Sequence, residues 1–79
     1  MRLKEWDCGY YDAQDEFGRV TVRERADGRF DVVHVRYERT AQGLLKSESI
    51  VGVYNDLARA KDAGWELSRA LDSSRRSRL

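Results

Sequence analysis

The chain has 79 residues, with 15 basic and 14 acidic side chains and a formal net charge of +1. Net charge alone therefore predicts neither nucleic-acid nor membrane binding, and the length allows one domain with a modest core. A single cysteine excludes an internal disulfide. Without a signal peptide or an apolar run long enough to span a membrane, the sequence predicts a cytoplasmic protein.

Residues 2–10 are predicted to form a first strand, because their side chains alternate loosely in polarity. Strand geometry sends successive side chains to opposite faces. We therefore expect Trp6, Cys8 and Tyr10 on one side of the strand. The polar residues 12–16 then predict a loop.

An Asp-Gly pair at 27–28 separates two alternating segments, 17–26 and 29–38. This is the strongest short-range signal for a β-hairpin, because a type I′ turn needs positive φ at both central residues. A two-residue turn would place Val22 opposite Val33. One face of the hairpin would then be an apolar strip made of Val20, Val22, Val33, Val35 and Tyr37.

The other face of that predicted hairpin is cationic. A two-stranded ribbon fits the major groove of DNA, and arginine can bond bidentately to guanine. Like charges facing each other across strands are destabilising, which suggests a partner, although antiparallel sheets also commonly carry one solvated face. This alternative binding surface for duplex DNA consists of Arg19, Arg23, Arg25, His34 and Arg36.

The last third of the chain predicts a strand over 46–54 and a helix over 56–71. Either Asn55 or Asp56 can accept hydrogen bonds from the first turn of the helix. One helical stripe is apolar or small, which indicates a buried face. The stripe contains Leu57, Ala60, Gly64, Leu67 and Leu71. A glycine inside a helix costs about 1 kcal/mol relative to alanine, so at Gly64 we expect either a close approach of helix and sheet or room for a neighbouring ring.

The predicted fold class is α+β, a small antiparallel β-meander of three to four strands with one C-terminal helix packed on one face. The sequence predicts one domain over 1–72. The serine- and arginine-rich segment 73–79 has little to bury and is predicted to be a flexible basic tail.

No residue pattern indicates catalysis. His34 is the single histidine and has no evident nucleophile or orienting partner in the sequence. Metal-ligand spacing and phosphate-binding loops are also missing from the pattern. We therefore expect a protein that is not an enzyme, with no cofactor, no metal and no membrane partner.

The N-terminal third mixes carboxylates with aromatic rings. Aromatic side chains are enriched at binding hot spots, and clustered carboxylates could complement a basic groove. The alternative is an ordinary first strand followed by a solvated acidic loop. The candidate acidic-aromatic surface consists of Asp7, Tyr10, Tyr11, Asp12, Asp15 and Glu16.

Three short segments, 18–23, 28–30 and 51–56, together with Ala58, Ala60 and Ala63 of the predicted helix, resemble the ethylene-response-factor DNA-binding domain of plants. The layout is similar to that of the arm-binding domain of phage integrases. The resemblance implies a three-stranded sheet that presents Arg and Trp side chains to DNA, with a helix behind it. The aromatic ring on the DNA-facing strand would correspond to Phe30.

In size, layout and surface charge the chain is also similar to small phage-encoded anti-CRISPR proteins that act on type I effector complexes. That resemblance implies a stoichiometric inhibitor in the cytoplasm of a host bacterial cell. It would bind Cas subunits of the multisubunit complex through the acidic-aromatic surface and block target DNA binding. The alternative function is a small DNA-binding domain that uses the Arg-rich hairpin face.

Overall fold

The computed structural model describes residues 3–12 and 16–76. The sheet is antiparallel, with its strands in the order β1-β2-β3-β4, and the helix packs on one of its faces. The predicted α+β meander is therefore confirmed. The elements are β1 (Glu5–Asp12), β2 (Glu16–Glu24), β3 (Phe30–Thr40), β4 (Gly43–Tyr54) and α1 (Leu57–Arg76).

Each predicted strand and the predicted helix exist, but their first and last residues differ from the observed ones by up to five residues. β4 begins at Gly43 rather than at residue 46, and only residues 41 and 42 separate it from β3. Helix α1 continues to Arg76, so the backbone of the first part of the predicted tail is helical. The rest of that tail, 77–79, lies outside the described residues, as do the first two residues.

The β2–β3 turn has one more residue than predicted. The N–H of Gly28 donates to the carbonyl of Arg25 (3.2 Å), and the N–H of Arg25 donates to the carbonyl of Arg29 (2.8 Å). These bonds enclose a loop of residues 26–28, in which Gly28 has φ +86°. A turn followed by a glycine in the left-handed region is the common three-residue hairpin loop. The predicted two-residue type I′ turn is wrong.

This longer turn shifts the hairpin register by one residue. Val22 pairs with Val32, and Val20 pairs with His34. A shift of one residue moves a whole set of side chains to the other face of a sheet. Val35 therefore points away from Val20, and the predicted single apolar strip is wrong.

We call the side of the sheet that carries Val20 and Val22 the helix face, because α1 packs there. A Cβ atom at Gly64 of the helix would lie 3.6 Å from Val20 Cγ1. The opposite side is called the open face. Among the described residues no second layer of helix or strand packs on it. The residues of β2 and β3 on the open face are Phe17, Arg19, Thr21, Arg23, Asp31, Val33, Val35, Tyr37 and Arg39.

Strand β1 contains a β-bulge that reverses its side-chain alternation. The pairing register with β2 shifts between Asp7 and Gly9, which leaves Cys8 as the extra residue. Bulges of this kind re-aim the side chains that follow. Tyr10 consequently pairs with Arg19 on the open face, and the prediction that Tyr10 shares a side with Cys8 is wrong.

The core lies between the helix face and α1. Its fully buried residues are Cys8, Val20, Val22, Val32 and Ala60. Partly buried side chains surround them, among them Phe30, whose ring meets the Trp6 ring edge-on at 6.0 Å. Phe30 therefore packs at the margin of the core. The resemblance to plant DNA-binding domains implied instead that its ring lies exposed on a DNA-facing strand.

Two predictions about the helix are confirmed. The carboxylate of Asp56 accepts a hydrogen bond from the N–H of Ala58 (3.0 Å), as an N-cap does. Gly64 lies where helix and sheet approach closely, since a Cβ there would be 2.7 Å from Cys8 Sγ. Within the described part of the chain, no helix is both long and apolar enough to cross a bilayer.

Candidate partner-binding surface

Several side chains on the open face are buried, although no helix or strand among the described residues covers that face. Val35 and Thr21 have no exposed surface, and Val33 is 2% exposed. The long side chain of Arg19 lies directly across from Val35 in the sheet. Arginine stems commonly cover apolar surface while the charged group reaches solvent. We infer that the arginines of this face shield its central valines.

Those arginines form a network of ion pairs with carboxylates on the same face. Arg23 donates from Nε to Glu5 (3.0 Å) and from both terminal nitrogens to Glu48 (3.2 and 2.7 Å). Arg19 lies 3.6 Å from Glu5 and 3.6 Å from Asp7. The hydrogen bonds from Arg23 lower the pKa of the Glu48 carboxyl below its ordinary value. The open face therefore neutralises much of its own charge.

The predicted Arg-rich surface for DNA does not assemble on one face. Arg19 and Arg23 belong to the open face, whereas His34 and Arg36 pair with Val20 and Gly18 on the helix face. The longer hairpin turn is the physical reason, because it moves every β3 side chain to the side opposite the predicted one.

The other two arginines of that predicted surface also have carboxylate partners. Arg25 lies at the hairpin turn, 3.2 Å from Asp27 and 3.1 Å from Asp31. Arg36 lies 2.7 Å from Glu38. Each arginine of the predicted set therefore forms at least one ion pair within the chain.

A cluster of aromatic rings and charges lies on the open face near the ends of β1, β2 and β3. Phe17 stacks on Tyr37, with ring centroids 4.9 Å apart and planes 11° apart. The Arg39 guanidinium sits 4.8 Å above the Phe17 ring and 3.4 Å from Asp12. Tyr10 next to them is 81% exposed. A largely exposed tyrosine beside a preformed ring stack is typical of a contact surface.

These side chains line a depression of about 600 Å³ that we call the aromatic cleft. Two of its residues, Tyr10 and Asp12, belong to the predicted acidic-aromatic surface. Arg19 belongs to the predicted arginine surface. The side chains that define the cleft are Tyr10, Asp12, Phe17, Arg19, Tyr37 and Arg39.

Tyr11 and Glu16, both predicted for the acidic-aromatic surface, instead form a hydrogen-bonded cluster on the helix face. Tyr11 is 3% exposed; its hydroxyl donates to Glu16 (3.0 Å) and lies 3.0 Å from Nε2 of His34. Gly18 leaves room for this ring, since a Cβ there would be 3.0 Å from the Tyr11 hydroxyl. Tyr11 is therefore a structural residue.

The predicted acidic-aromatic surface is thus only partly assembled. Tyr10 and Asp12 lie in the aromatic cleft, and Asp7 lies on the same open face, paired with Arg19. Asp15 lies outside the described residues.

Three cleft residues, Phe17, Tyr37 and Arg39, were not predicted from the sequence as site residues. Phe17 and Tyr37 are direct cross-strand partners only in the observed register. A three-residue turn over 26–28, with Gly28 in the left-handed region, is the sequence interpretation that pairs Phe17 with Tyr37. A two-residue turn pairs Tyr37 with Gly18 instead, so it predicts no contact between the rings of Phe17 and Tyr37.

Metal binding and thiol chemistry each need a particular arrangement of side chains. Within residues 3–12 and 16–76, no group of three or more His, Cys, Asp or Glu side chains is arranged to hold a metal ion. Burial raises the pKa of the Cys8 thiol, which disfavours the reactive thiolate.

No known protein family, curated protein or solved structure matches this chain significantly. The geometry of its own surfaces is therefore the basis for a functional proposal.

Proposed function

We propose that this protein is a non-enzymatic binding protein that recognises another protein through its aromatic cleft. The observation that carries the proposal is Tyr10, 81% exposed, beside the stacked rings of Phe17 and Tyr37. Tyrosine and arginine dominate binding hot spots, because they bury large areas with few rotatable bonds. The stack and its Arg39 cover also order the surface before binding, which lowers the entropic cost of association.

The charge pattern favours a protein over duplex DNA as the partner. Non-specific DNA affinity comes from Lys and Arg groups that neutralise phosphates. Here Arg19 and Arg23 contact carboxylates of the same face at 3.6 Å or less. DNA binding would bring phosphates next to Glu5 and Glu48. A mixed, largely self-compensated surface is more suited to a protein partner.

The narrower proposal names Cas subunits of a type I CRISPR effector complex as the partner, with exclusion of target DNA as the result. The sheet-and-helix layout and the carboxylates near Tyr10 support it. Asp12 and Asp7 are 71% and 68% exposed at their side chains, so both can approach a basic groove while still paired within the chain.

The test compares two exposed aromatic residues in a gel-shift assay of a purified type I effector with its target DNA. Tyr10→Ala removes the ring of the cleft, and Trp65→Ala removes a ring that is 52% exposed on α1. We expect wild type and Trp65→Ala to prevent the effector from shifting its DNA. Loss of a hot-spot tyrosine should weaken inhibition about 30-fold.

Equal inhibition by Tyr10→Ala and wild type would show that the aromatic cleft does not contribute to inhibition. If wild type leaves the effector unaffected, the Cas proposal fails. A wild-type protein that itself shifts free duplex DNA, with affinity falling steeply as salt rises, would support the DNA alternative and contradict a protein partner.

A further inference from the structure

Strand β4 is a free edge of the sheet. It pairs with β3 on one side and with nothing on the other among the described residues. Leu44, Leu45 and Ile50 are 61%, 59% and 61% exposed on it. Long apolar edges with unpaired N–H and C=O groups pair readily with another strand, so proteins usually protect them with prolines, bulges, short length or charged side chains. Between Gly43 and Ile50, β4 has no proline and no bulge, and its two charges, Lys46 and Glu48, are of opposite sign and can therefore complement a second copy of the strand.

The other edge of the sheet is protected. Strand β1 is shorter, Glu5–Asp12, and its bulge at Cys8 interrupts the regular spacing of its backbone groups. Strand addition therefore favours β4.

The turn before β4 determines which backbone groups reach the free edge. Thr40 and Gly43 pair across a loop of residues 41 and 42, so they form the hydrogen-bonded pair that closes the hairpin. Hydrogen-bonded and non-hydrogen-bonded pairs alternate along an antiparallel ladder. The residues whose N–H and C=O groups point to the free edge are consequently Leu44, Lys46, Glu48 and Ile50.

We propose that two copies of this chain associate by antiparallel pairing of their β4 strands about a two-fold axis at Ser47. In this register Lys46 lies opposite the partner's Glu48, and Leu44 lies opposite the partner's Ile50. Each of these pairs exchanges two backbone hydrogen bonds, because all four residues turn their backbone groups to the edge. Opposite charges and apolar side chains facing each other across strands are stabilising.

The charges of β4 select this register over its neighbours. An axis at Lys46 would place two lysines opposite each other, and an axis at Glu48 would place two glutamates opposite each other. Like charges directly opposite are destabilising. Within one copy the Lys46 ammonium lies 3.7 Å from the Glu48 carboxylate, and the two side chains are 53% and 35% exposed, so both remain accessible to the opposite charges of a second copy.

The length of the regular part of β4 fits the same axis. The β3–β4 register shifts where Val32 pairs with Gly52 and Val33 with Ile50, so Val51 is an extra, bulged residue. The bulge bends the strand after Ile50 and ends regular pairing there. The segment from Leu44 to Ile50 is centred on Ser47, as a symmetric pairing requires.

The resulting assembly is one continuous eight-stranded sheet, with four strands from each copy. An axis perpendicular to the sheet keeps both open faces on the same side. The two aromatic clefts would then face the same direction at a fixed separation, which allows bivalent binding to a repeated partner.

A disulfide-trapping experiment tests the axis directly. Opposed residues of a non-hydrogen-bonded pair have Cα atoms about 4.5 Å apart, within the range that a disulfide spans. Ser47→Cys should therefore form a cross-linked dimer under mild oxidation. Ser49→Cys, which lies opposite the partner's Leu45, should not. The native Cys8 is 1% exposed and does not compete.

Sedimentation equilibrium of the unmodified chain provides the second measurement. We expect a concentration-dependent dimer, which Lys46→Glu weakens about tenfold or more, because two attractive pairs become repulsive. Arg59→Glu, the same kind of charge change on an exposed helix position, should leave the equilibrium unchanged. A monomer at every concentration, or equal cross-linking of Ser47→Cys and Ser49→Cys, would overturn the proposal.

Discussion

Replacing Gly64 by alanine tests the close packing of α1 on the sheet. In an exposed helix, glycine to alanine is stabilising by about 1 kcal/mol, because glycine has the greater backbone freedom when unfolded. Here the added Cβ would lie 2.7 Å from Sγ and 3.1 Å from Cβ of Cys8. The Cβ of Cys8 is fixed by its own backbone, so a side-chain rotation cannot relieve that second contact.

Overpacking of a core costs about 1–3 kcal/mol. We take the upper half of that range for Gly64→Ala, because two atoms of Cys8 are approached closely. Subtracting the gain in helix propensity leaves a net loss of about 1–2 kcal/mol. In a domain of this size, that loss lowers the Tm by about 4–16 °C.

The assay is urea unfolding, followed by the fluorescence of Trp6 and Trp65, for a double-mutant cycle. Cys8→Ala removes Sγ, the nearest atom, and should reduce the cost of Gly64→Ala by about 1 kcal/mol through direct coupling. A Gly64→Ala protein more stable than wild type would refute the reasoning, because the helix would then have room for the methyl group.

Two further predictions concern the two faces of the sheet. Val22→Asp should abolish cooperative unfolding in thermal melts, because Val22 is fully buried on the helix face, whereas Val51→Asp, at a residue 51% exposed, should preserve a cooperative transition. Glu48→Gln should lower the Tm at pH 7. Because Arg23 lowers the folded-state pKa of Glu48, the carboxylate stabilises the fold above its ordinary pKa, and this stabilisation is lost as pH falls. The Tm difference from wild type should therefore vanish in melts at acidic pH, and a constant difference would contradict a charge effect.

The amino-acid sequence by itself determined the element order and the helix that covers the sheet. Alternating segments and a helical stripe are local patterns, and the physical constraints that produce them act within a few residues. For the same reason the sequence located the helix start at Asn55-Asp56 and the exceptional position at Gly64. The structure selects Asp56 as the N-cap, since its carboxylate accepts from the N–H of Ala58, and close approach of helix and sheet as the role of Gly64.

Which side chains share a face was decided only by the tertiary structure. The Asp-Gly pair fits both a two-residue and a three-residue turn, and the difference of one residue inverts every β3 side chain relative to β2. The bulge at Cys8 similarly moves Tyr10 to the open face. The local signal for this bulge was Gly9, which has φ +136°, because an isolated glycine within a strand pattern suggests a bulge or a close backbone approach. That signal does not say which side chains the bulge moves, because this depends on pairing with β2.

The candidate site depends on both the three-residue turn and the bulge at Cys8. Tyr10 reaches the open face because of the bulge, and Tyr37 reaches it because of the longer turn. Only when both occur do they meet Phe17 and form the aromatic cleft. The residue types were evident in the sequence, but their meeting place depends on register, which is fixed by cross-strand pairing and by burial of the core against α1.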